Sequence, residues 1–199
     1  MPKTITAWLS IGSTYTYLTA LRINSIQRET MVQLDIKPIS IRAIMKSMNN
    51  IPFPPSKKAK VDYMWRDIER RAEWYGLPEP KSPVPYPLQE FDRANKVGIV
   101  LNKRGRYLEY FEETYKLWFL SGLEAGSEDN LQKCCGAMAL DYDDIVRQAA
   151  EENTQLQYDG NTRKAQDLGV FGAPSFSVGK EIFWGDDRLE DAIRFAGKD

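Results

Sequence analysis

Gly169-Val-Phe-Gly-Ala-Pro-Ser-Phe-Ser-Val-Gly-Lys-Glu-Ile-Phe-Trp-Gly-Asp-Asp-Arg188 is the stretch from which the fold is read. Ala173-Pro174 lies between a glycine-rich turn and an apolar strand, a position that suits a cis peptide. Proline has no N–H to complete a ladder, so Ala173 can offer its backbone groups to a ligand. Ser175–Val178 and Glu181–Trp184 flank Gly179-Lys180, and a two-residue loop with glycine first predicts a type II′ hairpin. Asp186 and Asp187 precede Leu189, Ala192, Ile193 and Ala196, which recur at helical spacing. Asp187 with Glu190 three residues on reads as a capping box for that helix.

The other end of the chain supplies a partner for this unit. In Thr4–Ile11 the residues Ile5, Ala7, Leu9 and Ile11 share one face, the period of a strand, and Trp8 on the opposite face indicates burial on both sides. Gly12 allows a turn. Ser13 or Thr14 is expected to cap a following helix with Tyr17, Leu18 and Leu21 inward. A helix start leaves N–H groups unpaired and favours an anion, including a thiolate. Val32, Leu34, Ile36 and Pro38 mark a second strand, and two strands joined by a helix predict a parallel crossover.

The middle of the chain is helical. After a rigid loop over Asn49–Pro55, helices are expected over Lys57–Tyr75, Gln89–Lys103, Tyr107–Leu120, Asn130–Leu140, Ile145–Glu152 and Gln155–Leu168. Leu77–Leu88 is proline-rich and reads as an extended surface connector. The sequence therefore predicts an α/β fold: residues 1–46 and 167–199 forming one domain, with 47–166 as an all-helical insertion.

Composition excludes several classes of chemistry. The chain has 199 residues, 42% hydrophobic and 28% charged, with a net charge of -1, which asks for neither nucleic acid nor an anionic membrane. A chain of this size buries roughly 70% of its unfolded surface and needs no staples. There is no basic-then-apolar leader and no run long enough to span a bilayer, so a cytoplasmic location is expected. Zero histidines remove Ser-His-Asp and Cys-His machinery and every histidine metal triad. Cys134 and Cys135 are adjacent, with no Cys-x-x-Cys, and fit a helix's apolar face better than a redox pair. Asp141-Tyr142-Asp143-Asp144 lacks the glycine and distal glutamate of a calcium loop and reads as a helix N-terminus.

Two motifs carry a resemblance. Leu9-Ser10-Ile11-Gly12-Ser13-Thr14-Tyr15-Thr16-Tyr17-Leu18 and the paired stretches 169–176 and 183–190 resemble the 2-hydroxychromene-2-carboxylate isomerases and kappa-class glutathione transferases, thioredoxin-like relatives of the DsbA oxidoreductases. Ser10 stands where that family has Asp, and Thr14 where it has Pro. The resemblance implies a thioredoxin-like (DsbA-like) domain with an inserted all-helical domain and a glutathione-dependent isomerase with glutathione as cofactor. It implies that Ser13 contacts the glutathione sulfur, that cis-Pro174 follows an Ala173 whose backbone pairs with the cysteinyl part, and that Asp186 and Asp187 meet the γ-glutamyl end. Asn50 and Lys60 match a family pair near the glycyl end. A homodimer is common in the family.

The bare residues keep other readings open. Ser13 is also a plausible helix cap, and the aspartates could simply cap the last helix. Trp65, Trp118, Tyr15 and Trp184 could line an apolar pocket for a small aromatic or conjugated substrate, and each also fits a core. The alternatives to the isomerase are a kappa-like glutathione transferase or peroxidase, and a redox-inactive DsbA-like module that binds peptides across the proline edge. Ser13-Thr14-Tyr15-Thr16 occupies the place of the relatives' two cysteines, which disfavours a thiol–disulfide oxidoreductase.

Overall fold

A computed structural model of the chain describes residues 4–50, 53–54 and 56–197. Of the loop expected at 49–55, Ile51, Pro52 and Pro55 lie outside the described residues. Strand β1 (Ile5–Leu9) leads into helices α1 (Thr16–Ala20) and α2 (Ile23–Thr30) and then strand β2 (Leu34–Pro38). Helices α3 (Ile41–Ser47), α4 (Lys58–Trp74), α5 (Phe91–Lys103), α6 (Tyr107–Ser121), α7 (Glu128–Ala137), α8 (Tyr142–Ala149) and α9 (Glu152–Leu168) follow. The chain returns through β3 (Ser175–Val178), β4 (Glu181–Trp184), a 3-10 turn (Asp186–Arg188) and α10 (Leu189–Ala196). The architecture is the expected α/β thioredoxin-like fold, with the helices α4–α9 entering between the two halves of the sheet.

The strand order is β2-β1-β3-β4. β1 runs parallel to β2 and antiparallel to β3, and β3 forms a hairpin with β4. Ile5, Ala7 and Leu9 are buried, and so is Trp8 on the other face, as a central strand covered on both sides requires. The Trp8 indole N–H donates to Ser177 Oγ at 2.9 Å, which lets a large polar-tipped ring sit between strands. Phe176 pairs with Phe183, and Phe183 meets Phe195 of α10 at 5.5 Å between ring centroids, which places α10 on that face. In the hairpin Gly179 has φ 60° while Lys180 is not among the positive-φ residues, the asymmetry of a type II′ turn.

β2 is an edge strand, and the inserted helices blunt it. Asn102 of α5 donates to the Ile36 carbonyl at 2.9 Å, and Asn161 of α9 donates to the Pro38 carbonyl at 3.2 Å. Such caps remove acceptors that a foreign strand would use. α6 joins the insertion to α1 through aromatic rings: Phe119 stacks on Tyr17 at 4.4 Å, and Tyr115, Trp118 and Phe119 pack together. Sheet and helices thus share one apolar core. Among the described residues no helix is long and apolar enough to cross a membrane.

Three local expectations are corrected. α1 does not begin at Thr14: it spans Thr16–Ala20, its N-cap position is Tyr15, and no side chain caps it. Ser13 and Thr14 spend their hydroxyls on distant partners instead, and so short a helix adds little dipole. The Asp187–Glu190 capping box does not form, because Arg188 occupies the N-cap position, Asp187 pairs with Arg188 at 3.2 Å and Glu190 pairs with Arg22. The proline-rich connector is not merely superficial: Val84 and Leu88 join the core, and Pro78 and Pro85 carbonyls accept from Tyr17 and Trp118. Asp141 caps α8 as expected, accepting from the Asp144 N–H at 3.2 Å.

Candidate ligand site at the proline edge

The turn that leaves β1 is held from the insertion side by two buried side chains. Asn95 of α5 accepts from the Ile11 N–H at 2.8 Å and donates to the Ile11 carbonyl at 2.8 Å. Its second amide hydrogen goes to the Phe91 carbonyl at 2.9 Å. Tyr115 of α6 donates to the Ser13 carbonyl at 2.9 Å and accepts from the Gly12 N–H at 3.4 Å. Burial pushes the Tyr115 phenol well above its ordinary range, so it keeps its proton and serves as a donor. Gly12 itself has φ +117°, and a Cβ there would meet the Phe91 ring at 2.5 Å, so only glycine fits the turn.

The two family departures are absorbed in the same way. Ser10 Oγ accepts from the Ile41 N–H at 3.3 Å, tying the end of β1 to the start of α3. Thr14 Oγ1 donates to Met64 Sδ of α4 at 3.0 Å. Neither polar group is left exposed or unpaired.

Ser13 and the proline edge come together as expected. Ser13 is half-buried, and its hydroxyl donates to the Ala173 carbonyl at 2.7 Å. The Ala173–Pro174 peptide is cis. Gly185 N–H donates to the Pro174 carbonyl at 3.0 Å, which carries the aspartate turn to the same edge. The indole of Trp184 lies so close to Gly172 that a Cβ there would come within 2.2 Å of Nε1, so the backbone before Ala173 must be bare.

Asp186 and Asp187 have different surroundings. Asp186 is buried, its carboxylate accepts from Arg71 of α4 at 2.9 Å, and Arg22 stands at 4.0 Å. Burial raises its carboxyl to about 6, with Asp187 adding to the rise and Arg71 and Arg22 opposing it. Asp187 is half-buried, with Arg188 at 3.2 Å and Arg71 at 3.9 Å. Tyr15 donates to Asp67 of α4 at 3.0 Å, and burial with that carboxylate drives its phenol far up. Lys60, Met64, Asp67 and Arg71 recur at three- and four-residue spacing, so one face of α4 runs along Thr14, Tyr15 and Asp186.

A pH dependence follows for Asp186. Its folded carboxyl is raised above the unfolded value near 3.9, so the folded state holds the proton longer. This group therefore favours folding below about pH 4 and loses up to about 3 kcal/mol as pH rises to about 6. Chemical denaturation of wild type and Asp186→Asn across pH 4–7 checks this. The stability difference between them should shift in favour of the variant as pH rises and stay level above about 6.5; a difference independent of pH refutes it.

The remaining expected residues stand apart. Asn50 is exposed in the turn after α3, its N–H donating to the Met45 carbonyl at 2.9 Å. Lys60 is exposed one helical turn before Met64, with its ammonium 5.0 Å from the Phe53 ring centroid. No hydrogen bond among the described residues joins either to Ser13 or the aspartates. Trp118 and Trp65 belong to the core, Tyr15 is half-buried at the site, and Trp184 is exposed against Phe171 at 4.8 Å. A separate groove of about 700 Å³ lies between α2, β2 and α6 and contains none of these residues. Within it Lys116 pairs with Glu112 and Arg106 with Glu109. Among the described residues no cluster of side chains could hold a metal ion.

Residues 4–193 match the DSBA-like thioredoxin domain. The chain belongs to the DSBA-like thioredoxin family. Within that family it is 28% identical over 196 residues to the 2-hydroxychromene-2-carboxylate isomerase of Sphingobium xenophagum, covering 96% of each chain. It is 22% identical over 179 residues to the Pseudomonas putida protein of the same name, covering 89% of this chain and 86% of that one. A solved 2-hydroxychromene-2-carboxylate isomerase structure superposes with a TM-score of 0.85 at 20% identity, covering 98% of this chain and 94% of that one. This DSBA-like chain has no cysteine in Ser13–Thr16. Its two cysteines are free and buried in α7, where burial pushes both thiols up.

Sequence reasoning missed the residues that hold the site: Asn95, Tyr115, Asp67, Arg71 and Arg22. Asn95 left a signal, since it sits among the inward positions Phe91, Ala94 and Gly98, where a polar side chain needs an internal partner. Tyr115 was legible as core, and its hydroxyl contacts were not.

Proposed function

We propose that the chain binds glutathione along the proline edge and acts as a glutathione-dependent isomerase of the 2-hydroxychromene-2-carboxylate isomerase type. The observation that carries this reading is the Ser13 hydroxyl held 2.7 Å from the Ala173 carbonyl, a proton donor beside backbone that can pair with a peptide. The chain's own groups fit a thiol tripeptide. Ser13 offers one hydrogen bond to a sulfur anion, which increases the thiolate fraction of a thiol whose ordinary pKa is near 8.5. Ala173 offers backbone groups to the cysteinyl unit. Asp187, the more accessible of the two aspartates, suits the γ-glutamyl ammonium, while Asp186 anchors Arg71. Lys60 on α4 and Asn50 in the turn after α3, both exposed, suit the glycyl carboxylate end.

Bound here, glutathione would supply a nucleophilic sulfur to a conjugated acceptor. The protein orients the tripeptide and stabilises the anion, which are the tasks a chain without histidine can perform. The names of the curated relatives and their near-complete coverage support the isomerase over a kappa-like transferase or peroxidase.

Calorimetric titration of glutathione into wild type and Asp187→Ala tests the binding mode, with thiolate absorbance followed against pH in wild type and Ser13→Ala. The expected result is micromolar-to-millimolar binding, weakened about tenfold without the Asp187 carboxylate, as for a lost charge-assisted bond. The bound thiol should have a lowered pKa that reverts in Ser13→Ala. Absence of binding at millimolar glutathione overturns the reading and favours a peptide-binding module. Turnover with a hydroxychromene carboxylate that leaves free glutathione constant separates isomerase from transferase.

A further inference from the structure

The outer edge of β2 is capped along only part of its length. Ile5 N–H donates to the Gln33 carbonyl and Ile39 N–H to the Leu9 carbonyl, with Ile5 opposite Leu34 and Ala7 opposite Ile36. In a parallel ladder of this register the backbone groups of Gln33, Asp35 and Lys37 face β1, and those of Leu34, Ile36 and Pro38 face outward. Asn102 and Asn161 take the Ile36 and Pro38 carbonyls, and proline has no N–H. The Leu34 N–H, the Leu34 carbonyl and the Ile36 N–H have no partner among the described residues. Leu34 and Ile36 line the groove of about 700 Å³ between α2, β2 and α6, a volume that suits a small ligand. An open strand edge is a template for a further extended chain. Here the open stretch is short and lies between two helices, which fits a short peptide better than the strand of a folded partner. Two charges lining the groove are also open. Lys116, Arg106 and Asp35 are paired with Glu112, Glu109 and Lys37. Arg28 of α2 and Glu113 of α6 have neither an ion pair nor a hydrogen bond among the described residues. Arg28 lies in the last turn of α2, at the end of the groove where β2 begins.

We propose that this groove is a second binding site, separate from the proline edge, and that it takes a free tripeptide as a short strand antiparallel to β2. The antiparallel direction brings the peptide's C-terminus to the start of β2, where Arg28 stands, and uses every open group. The residue opposite Leu34 is the third of the tripeptide. Its N–H donates to the Leu34 carbonyl, and its carboxylate accepts from the Leu34 N–H and from the Arg28 guanidinium. The residue opposite Ile36 is the first. Its carbonyl accepts from the Ile36 N–H, and its ammonium meets the Glu113 carboxylate. Backbone pairing makes the site tolerant of side chains, and the two end charges make it selective for a free peptide of this length.

The test titrates trialanine into the full chain and follows backbone amide resonances by NMR, with the C-terminal amide, the N-acetyl form and the form methylated on the third nitrogen as comparison ligands. Saturable shifts are expected at the Leu34 and Ile36 amides, with millimolar affinity. Methylation of the third nitrogen should weaken binding about tenfold, as for loss of one hydrogen bond and its space. Arg28→Gln should weaken trialanine about tenfold and leave the C-terminal amide unaffected. Glu113→Gln should do the same to trialanine and leave the N-acetyl form unaffected, since each variant then removes a partner the ligand no longer uses. Absence of shifts at tens of millimolar trialanine overturns the proposal. Equal binding of a peptide blocked at both ends also overturns it and assigns the groove to an internal segment of a protein chain. Shifts at Ala173 and Gly185 in place of Leu34 and Ile36 place the peptide on the proline edge and overturn the second site. None of these outcomes bears on the glutathione reading, which the Asp187 and Ser13 variants test by themselves.

Discussion

Asn95→Ala is expected to lower the free energy of unfolding by about 3–4 kcal/mol, because each buried backbone group left without its partner costs about 1–3 kcal/mol. Asn95 is fully buried and serves both backbone groups of Ile11, in the turn that leaves β1, as well as the Phe91 carbonyl. Alanine retains none of these bonds and opens a small void against Phe91. The Ile11 N–H and carbonyl have no water to turn to, since Ile11 is also buried. Urea denaturation of wild type and variant measures the difference. A loss below about 1 kcal/mol, the worth of one ordinary net hydrogen bond, would mean that the turn holds without this clamp. Since Ser13 is two residues on, the proposed glutathione site implies that a real loss is accompanied by weaker glutathione binding even where the variant is fully folded.

Arg71→Met is expected to cost about 3 kcal/mol at pH 8 and distinctly less at pH 4. Methionine keeps much of the apolar stem, so the effect reports the guanidinium. Arg71 bonds the Asp186 carboxylate at 2.9 Å and the Tyr75 hydroxyl at 2.7 Å, joining α4 to the turn before α10. Removing one partner of a buried ion pair leaves an uncompensated charge and costs about 3–5 kcal/mol, the lower figure applying here because Arg71 is partly solvated. Arg22 at 4.0 Å remains but is engaged with Glu190 and lies over the Tyr75 ring at 3.6 Å. The sign of the pH effect is set by Asp186. Its carboxyl already stands at about 6, and loss of Arg71 removes a lowering influence, so it rises further. At pH 4 the group is protonated in the folded variant and the missing charge matters little. A deficit that is the same at pH 4 and pH 8 would show that Arg71 acts by packing alone.

The strands, the crossover and the helical middle were legible because each rests on a short-range pattern. Ile5, Ala7, Leu9 and Ile11 alternate, and all are buried. Phe91, Ala94, Gly98 and Leu101 recur at helical spacing, and all face inward in α5. The start of α1 was not legible. Ser13 and Thr14 are good caps by residue type, but a cap is chosen by competition. The Ala173 carbonyl, 160 residues away, and the Met64 sulfur outbid the local N–H groups. The same competition undid the Asp187–Glu190 box, where Arg22 and Arg188 supply charged partners that backbone amides cannot match.

What the sequence by itself determined is the set of elements, their order, the proline edge and the absence of histidine and Cys-x-x-Cys chemistry. Periodicity, turn residues and residue inventory are properties of the chain read locally, and they do not depend on what packs against what. The tertiary structure alone decided which polar atoms hold the site. It set Asn95 and Tyr115 beneath the turn, gave Asp186 to Arg71 while leaving Asp187 more open, and turned the Ser13 hydroxyl onto Ala173. Those pairings join residues far apart in sequence, and each exists because burial makes an unpaired polar group too costly to leave alone.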